Sequence, residues 1–175
     1  MEVDLEKYAS TFSKTSYDGM KKESLVKEDY RVLYNFDDIA KDICQEYRAG
    51  EYLSSADALS FSNGLIYLIE FKNQPTRNID RRVIQKKAFD SIYLLQQAVF
   101  NNISIEDIKK RTLFYVIHAG SSSPSFDSFK KKASTLAKQN AEIVDFGLSK
   151  YSCFYKEIHT LSSKEFVKEH LYKIT

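Results

Sequence analysis

The sequence predicts an α/β domain, a mixed sheet with helices on both faces. Three observations carry this. Apolar residues recur at helical spacing through 36–49. Two strand-like runs flank Asn63-Gly64, a strong hairpin signal. Thr112–Ala119 is an unbroken apolar run, as expected of a central strand buried on both faces. At 175 residues, the chain suits one domain with a real core.

Taken in order, residues 1–34 are amphipathic but broken near Asp18-Gly19, which predicts one or two peripheral helices. Phe36 to Ala49 follows as a helix, with Phe36, Ile39, Ala40, Ile43 and Tyr47 on one stripe. Asn35 is its expected N-cap, Asp37 and Asp38 fill the first turn, and Gly50 is its stop. Strands are predicted over 54–62 and 65–73. A long helix from Asp80 to Phe100 has an inner stripe of Ile84, Ala88, Ile92, Leu95 and Val99. Phe89, Tyr93 and Phe100 widen that stripe, which predicts a helix covered on two sides. Ser104 caps a short helix, and Ser123-Pro124 opens another. Strands are predicted at Ile143–Phe146 and Tyr151–Ile158, and Ser162 to Glu165 caps a terminal helix. The domain divides into the peripheral segment 1–34, a core at 36–120 and C-terminal α/β elements at 121–175.

Composition narrows the class. No stretch approaches the ~20 apolar residues of a membrane span. The N-terminal residues mix acids with apolar side chains, unlike a signal peptide. Two cysteines, Cys44 and Cys153, are too few for a disulfide framework, so a cytoplasmic protein with free thiols is expected. The net charge of +2 hides an asymmetry, with −4 over residues 1–51 and +6 over the rest. The excess gathers at Lys72, Arg77, Arg81, Arg82, Lys86 and Lys87, and again at Lys130, Lys131, Lys132 and Lys138. A local basic surface suits a polyanion; it also suits a merely solvated helix face.

The chemistry concentrates in the hairpin. If Asn63-Gly64 is a type I′ turn, Ser62 pairs with Leu65, and paired positions sum to 127. Asp57 and Glu70 obey that sum, so the register sets two carboxylates face to face. Lys72, two residues past Glu70, shares their face. Leu59, Phe61, Ile66 and Leu68 extend the same face as an apolar stripe. Opposed carboxylates repel, so the pair needs a proton, a basic partner or a metal ion. Lys72 or a basic residue of the next helix can serve as that partner. Oxygen ligands equally suit Mg²⁺ or Mn²⁺, which can polarise a phosphodiester and lower the pKa of a water.

Asp57 followed by Glu70-Phe71-Lys72, after the apolar run Leu65–Ile69, resembles the signature of the PD-(D/E)XK, or restriction-endonuclease-like, nuclease superfamily. The resemblance covers about residues 36–120. It implies a restriction-endonuclease-like mixed sheet and Mg²⁺- or Mn²⁺-dependent cleavage of nucleic acid, DNA ahead of RNA. Asp57, Glu70 and the Phe71 carbonyl would hold metal, and Lys72 would be the catalytic lysine. The family often adds an acid from the preceding helix. Of Asp38, Asp42 and Glu46, Glu46 lies nearest the buried stripe and is the expected third carboxylate. Gln85 matches a Gln or Lys that many members carry on the following helix, although Phe89 departs from the Gln-x-x-x-Tyr of one branch. Arg77, Arg81, Arg82, Gln85, Lys86 and Lys87 are the expected nucleic-acid contacts. Ala56 stands where the motif has Pro. The strand usual between the first helix and the Asp strand is lost, very short or supplied by the N-terminal segment. The alternative is a non-catalytic member of the fold that binds nucleic acid or a protein. A domain of this size can also be one of two subunits or half of a homodimer.

Other constellations are weaker. His118 and the serines after it lack a G-x-S-x-G elbow. His118, His159 and His170 are too scattered for zinc spacing, and no phosphate-binding glycine loop occurs.

Overall fold

The structure, a computed structural model, describes residues 3–27, 32–47, 52–100, 102–120 and 145–174. The predicted helix at Ser123-Pro124, the lysines at 130–132 and 138, residues 143–144 and Gly50 lie outside them.

The sheet is mixed and six-stranded, in the order β1-β4-β5-β6-β7-β8. Its members are β1 (Ala9–Ser10), β4 (Leu33–Asn35), β5 (Ala58–Ser62), β6 (Leu65–Lys72), β7 (Thr112–His118) and β8 (Glu157–Ser162). A separate two-residue pair, β2 (Tyr17–Asp18) and β3 (Glu23–Ser24), forms a small hairpin. Strands β1, β4, β5 and β6 run antiparallel, whereas β7 and β8 add parallel to β6. Asn63 and Gly64 both hold positive φ, at 51° and 74°, as a type I′ turn requires. The β5–β6 register pairs Ser62 with Leu65 and Ala58 with Ile69, as the sequence predicts.

Helices cover both faces, in keeping with the alternation of the strands. On one face α2 (Phe36–Glu46), α3 (Arg81–Leu94) and α4 (Ile105–Lys109) pack on Leu59, Ile66, Leu68, Phe114 and Val116. On the other, Phe12 of α1 (Phe12–Thr15) and Phe166 of α5 (Ser163–Glu169) pack on Tyr67, Ile69, Tyr115 and Ile117. All seven residues of β7 are buried. The caps fall where the sequence predicts them. Asn35, Asp80 and Ser104 each accept a first-turn N–H, and Ser162 with Glu165 forms a full capping box.

Several expectations need correction. Residues 1–34 are not peripheral helices: they give β1 and β4 to the main sheet, where Leu33 is fully buried. Strand β4 pairs with β5 and so supplies, ahead of α2, the neighbour that the Asp strand needs. The strand predicted at 151–158 begins only at Glu157, because 149–151 form a 3₁₀ turn. Asp145 and Phe146 lie in a turn, with Phe146 and Gly147 at φ 50° and 72°. The two-sided cover expected for α3 fails on one flank. Phe89 and Tyr93 are half exposed, and after Leu94 the helix widens into a π-turn over Leu95–Val99. Tyr47 is likewise exposed, and Cys44 takes its place in the core.

Gly64 meets nothing within 4 Å, so Gly64→Ala should cost only the left-handed backbone penalty of about 1 kcal/mol. An added Cβ at Gly147 would lie 2.6 Å from Nε2 of Gln85, so Gly147→Ala should cost more. Urea midpoints of the two variants rank them, and a smaller shift for Gly147→Ala would contradict this.

Candidate functional site

Asp57 sits one residue before β5, held by backbone bonds from three directions. The Ser54 N–H donates to Asp90 at 2.8 Å and the Ala56 N–H to Ser91 at 2.7 Å, both acceptors on α3. The Phe36 N–H, an orphan donor at the start of α2, is satisfied by the Asp57 carbonyl at 3.1 Å. The Asp57 side chain then accepts the Phe71 N–H at 2.7 Å. A strand residue directs its N–H and C=O to the same edge, so the Phe71 carbonyl lies on the edge facing Asp57.

Glu70 is fully buried on β6, on the face that carries Leu68 and Val116. The Lys87 ammonium of α3 lies between the acids, 2.8 Å from Oδ1 of Asp57 and 2.8 Å from Oε2 of Glu70. Lys72 Nζ reaches Oε1 of Glu70 at 2.7 Å. That is an ion-pair distance, but no donor is aligned on the oxygen. Oε1 is the one fully buried side-chain polar atom among the described residues without a hydrogen bond. Burial, and then the charge of Asp57, push the Glu70 carboxyl from the usual 4.5 up to about 8, against Lys87 and Lys72. Burial works against the Lys87 charge, but Glu70, Asp57 and Asp37 more than offset it and hold the ammonium protonated.

The helix before the hairpin contributes Asp37, not Glu46. Because β4 pairs Asn35 with Ala58 and leads straight into α2, the first turn of the helix abuts Asp57. Asp37 accepts the Ser55 hydroxyl, and burial raises its carboxyl. Glu46 is exposed and lies nine residues on, about 14 Å along the axis. Asp38 and Asp42 are engaged elsewhere, with Lys41 and Lys7. A cleft of about 540 Å³ opens beside the cluster, lined by Asp37, Asp57, Phe71 and Lys72 and walled by residues 14–21.

The basic candidates divide. Lys87 belongs to the cluster and is not a surface contact. Gln85 donates to the Phe146 carbonyl and accepts Lys150, so it braces the turn at 145–148. Arg77, Arg81, Arg82 and Lys86 are exposed and do not line the cleft. A signal for Lys87 was present in the sequence. Lys87, Asp90 and Ser91 form a polar group beside the apolar stripe of α3, and each meets the segment 54–57.

The cluster has the chemistry of a cation seat. Two carboxylate oxygens already share one positive charge, and a third oxygen lacks a donor. No group of three or more His, Cys, Asp or Glu is placed to hold a metal among the described residues. A Mg²⁺-type ion, which keeps several waters and takes one or two carboxylates, fits this sparse set. No helix among the described residues is long and apolar enough to cross a membrane. No family model matches the chain, and neither a curated protein nor a solved structure is similar to it.

A raised carboxyl pKa makes the folded state bind the extra proton between about pH 4.5 and 8, so stability falls as pH rises through that window. Metal-free wild-type protein should therefore lose stability between pH 5 and 8 relative to Glu70→Gln. Lys87→Met, which strips a buried charge pair of its cation, should cost about 3 kcal/mol at pH 8 and less at pH 5. Urea unfolding at both pH values is the check, and equal costs would mean that Glu70 is ionised throughout.

Proposed function

We propose that this domain is a metal-dependent nuclease that hydrolyses phosphodiester bonds in nucleic acid, DNA ahead of RNA, with Mg²⁺ or Mn²⁺. The observation that supports it best is the buried acid pair Asp57–Glu70 facing Lys72 at a cleft, with Glu70 Oε1 lacking a hydrogen bond. The arrangement is also what the PD-(D/E)XK resemblance implies for these residues.

In this reading Asp57, Glu70 and the Phe71 carbonyl hold the ion. When bound, it supplies Lewis-acid polarisation of the phosphate and a more acidic water. Asp37, beside Asp57, adds negative potential from the helix start. Lys72 has a partly exposed ammonium at the cleft and steadies the charge that grows on the phosphoryl oxygens. The apolar residues beneath, Leu59 and Leu68, keep the dielectric low, which strengthens each of these interactions. Arg77, Arg81, Arg82 and Lys86 contribute sequence-independent phosphate contacts outside the cleft.

A second reading draws on Lys87. An ammonium seated between the acids can complete the cluster without metal, leaving a non-catalytic module of the same fold that binds nucleic acid or a protein. Incubation with a panel of DNA and RNA substrates, with and without Mn²⁺, separates the two. The expected result is Mn²⁺-dependent cleavage by the wild type, lost by at least 100-fold in Glu70→Ala and Lys72→Ala, with circular dichroism unchanged. Full activity in either variant would refute the assignment. A flat calorimetric trace on Mn²⁺ titration of the wild type, with no cleavage, would favour the second reading.

A further inference from the structure

The outer flank of α3 carries large aromatic side chains that the core does not use. Phe89 is 50% exposed and Tyr93 51% exposed, although both would be expected inside. Arg82, Lys86, Phe89 and Tyr93 fall at i, i+4, i+7 and i+11, a single stripe along the helix. Eleven residues span about 16 Å. Phe89 is steadied edge-on by Phe154, with ring centroids 5.8 Å apart, so its ring is held in place at the surface.

The charge on this flank is unspent. Among the described residues Arg77, Arg81 and Arg82 form no ion pair, and Lys86 comes only within 3.8 Å of Asp90. Asp90 itself is mostly buried and accepts the Ser54 N–H. The other acid nearby, Asp80, caps the helix through the Arg82 N–H.

We infer that this stripe is a track for single-stranded nucleic acid, with bases stacked on Phe89 and Tyr93 and phosphates on Arg82 and Lys86. Exposed aromatic faces interleaved with unpaired cations suit unpaired bases on a polyanionic backbone. A duplex buries its base faces and offers these rings nothing to stack on. The charge complementarity favours this occupant over an apolar protein partner. The same two turns of α3 carry Lys87 toward the carboxylates, so a strand on the track passes within about one helix diameter, 10–12 Å, of the candidate active site. Arg77 and Arg81, at the start of the helix, continue the basic surface toward Lys72. The inference rests on the nucleic-acid reading of this domain but not on its catalysis.

The chain contains no tryptophan, so Tyr93→Trp installs a unique reporter on the track. Titration of that variant with oligothymidylate in the presence of chelator should quench and shift the tryptophan emission. The same strand annealed to its oligoadenylate complement should do so far less. By anisotropy with labelled oligothymidylate, Phe89→Ala with Tyr93→Ala should weaken binding about tenfold or more. Tyr93→Trp should retain affinity. Arg82→Ala with Lys86→Ala should flatten the log–log salt slope by about one unit. Unchanged emission at saturation, equal affinity for the duplex, or full affinity in the double alanine variant would each overturn the track. Absence of Mn²⁺-dependent cleavage with this binding intact would remove the nuclease and leave the track standing; cleavage without it would do the reverse.

Discussion

One ammonium group organises the centre of this molecule. Two carboxylates set opposite each other at the end of an apolar strand face are unstable unless a positive charge stands between them. Lys87 supplies it, 2.8 Å from each acid. To reach them, α3 must lie flat across β5 and β6 at one height and rotation. Ala88 and Ile84 beside Lys87 are thereby fully buried, and Ser91 and Asp90 come within reach of the chain entering β5. The ion cluster and the helix–sheet packing specify each other.

The arrangement is poised for cation exchange. An ammonium and a divalent ion compete for the same oxygens, and the doubly charged ion has the larger Coulomb attraction to two carboxylates. The protein keeps the acids close without metal because Lys87 is there, so the seat is built before an ion arrives. The unaligned oxygen of Glu70 is the point at which the lysines leave the cluster incompletely satisfied. A tightly closed structural ion network would be expected to satisfy that oxygen as well.

Much of this was legible along the chain. The Asn63-Gly64 turn dictated the register through local backbone conformation alone, and the register set Asp57 opposite Glu70. The helix caps at Asn35, Asp80, Ser104 and Ser162 were equally local. Glu46 was chosen over the acids of the first turn because helical periodicity tells which face is buried, not which end of the helix meets the site. The pairing of β4 with β5 decides the end, and that pairing joins residues more than twenty positions apart.

By itself, then, the sequence determined what depends on neighbours a few residues away: strand, turn, cap, and the face shared by Asp57, Glu70 and Lys72. Tertiary structure alone decided which cation the acids receive and which aromatic rings stay outside. Lys87 and Phe89 are two residues apart on one apolar-looking helix, yet the sheet covers one flank and leaves the other to solvent. Periodicity describes a helix's faces relative to one another. Only the packing of a distant strand against one of them settles which charge is buried and which ring is left free.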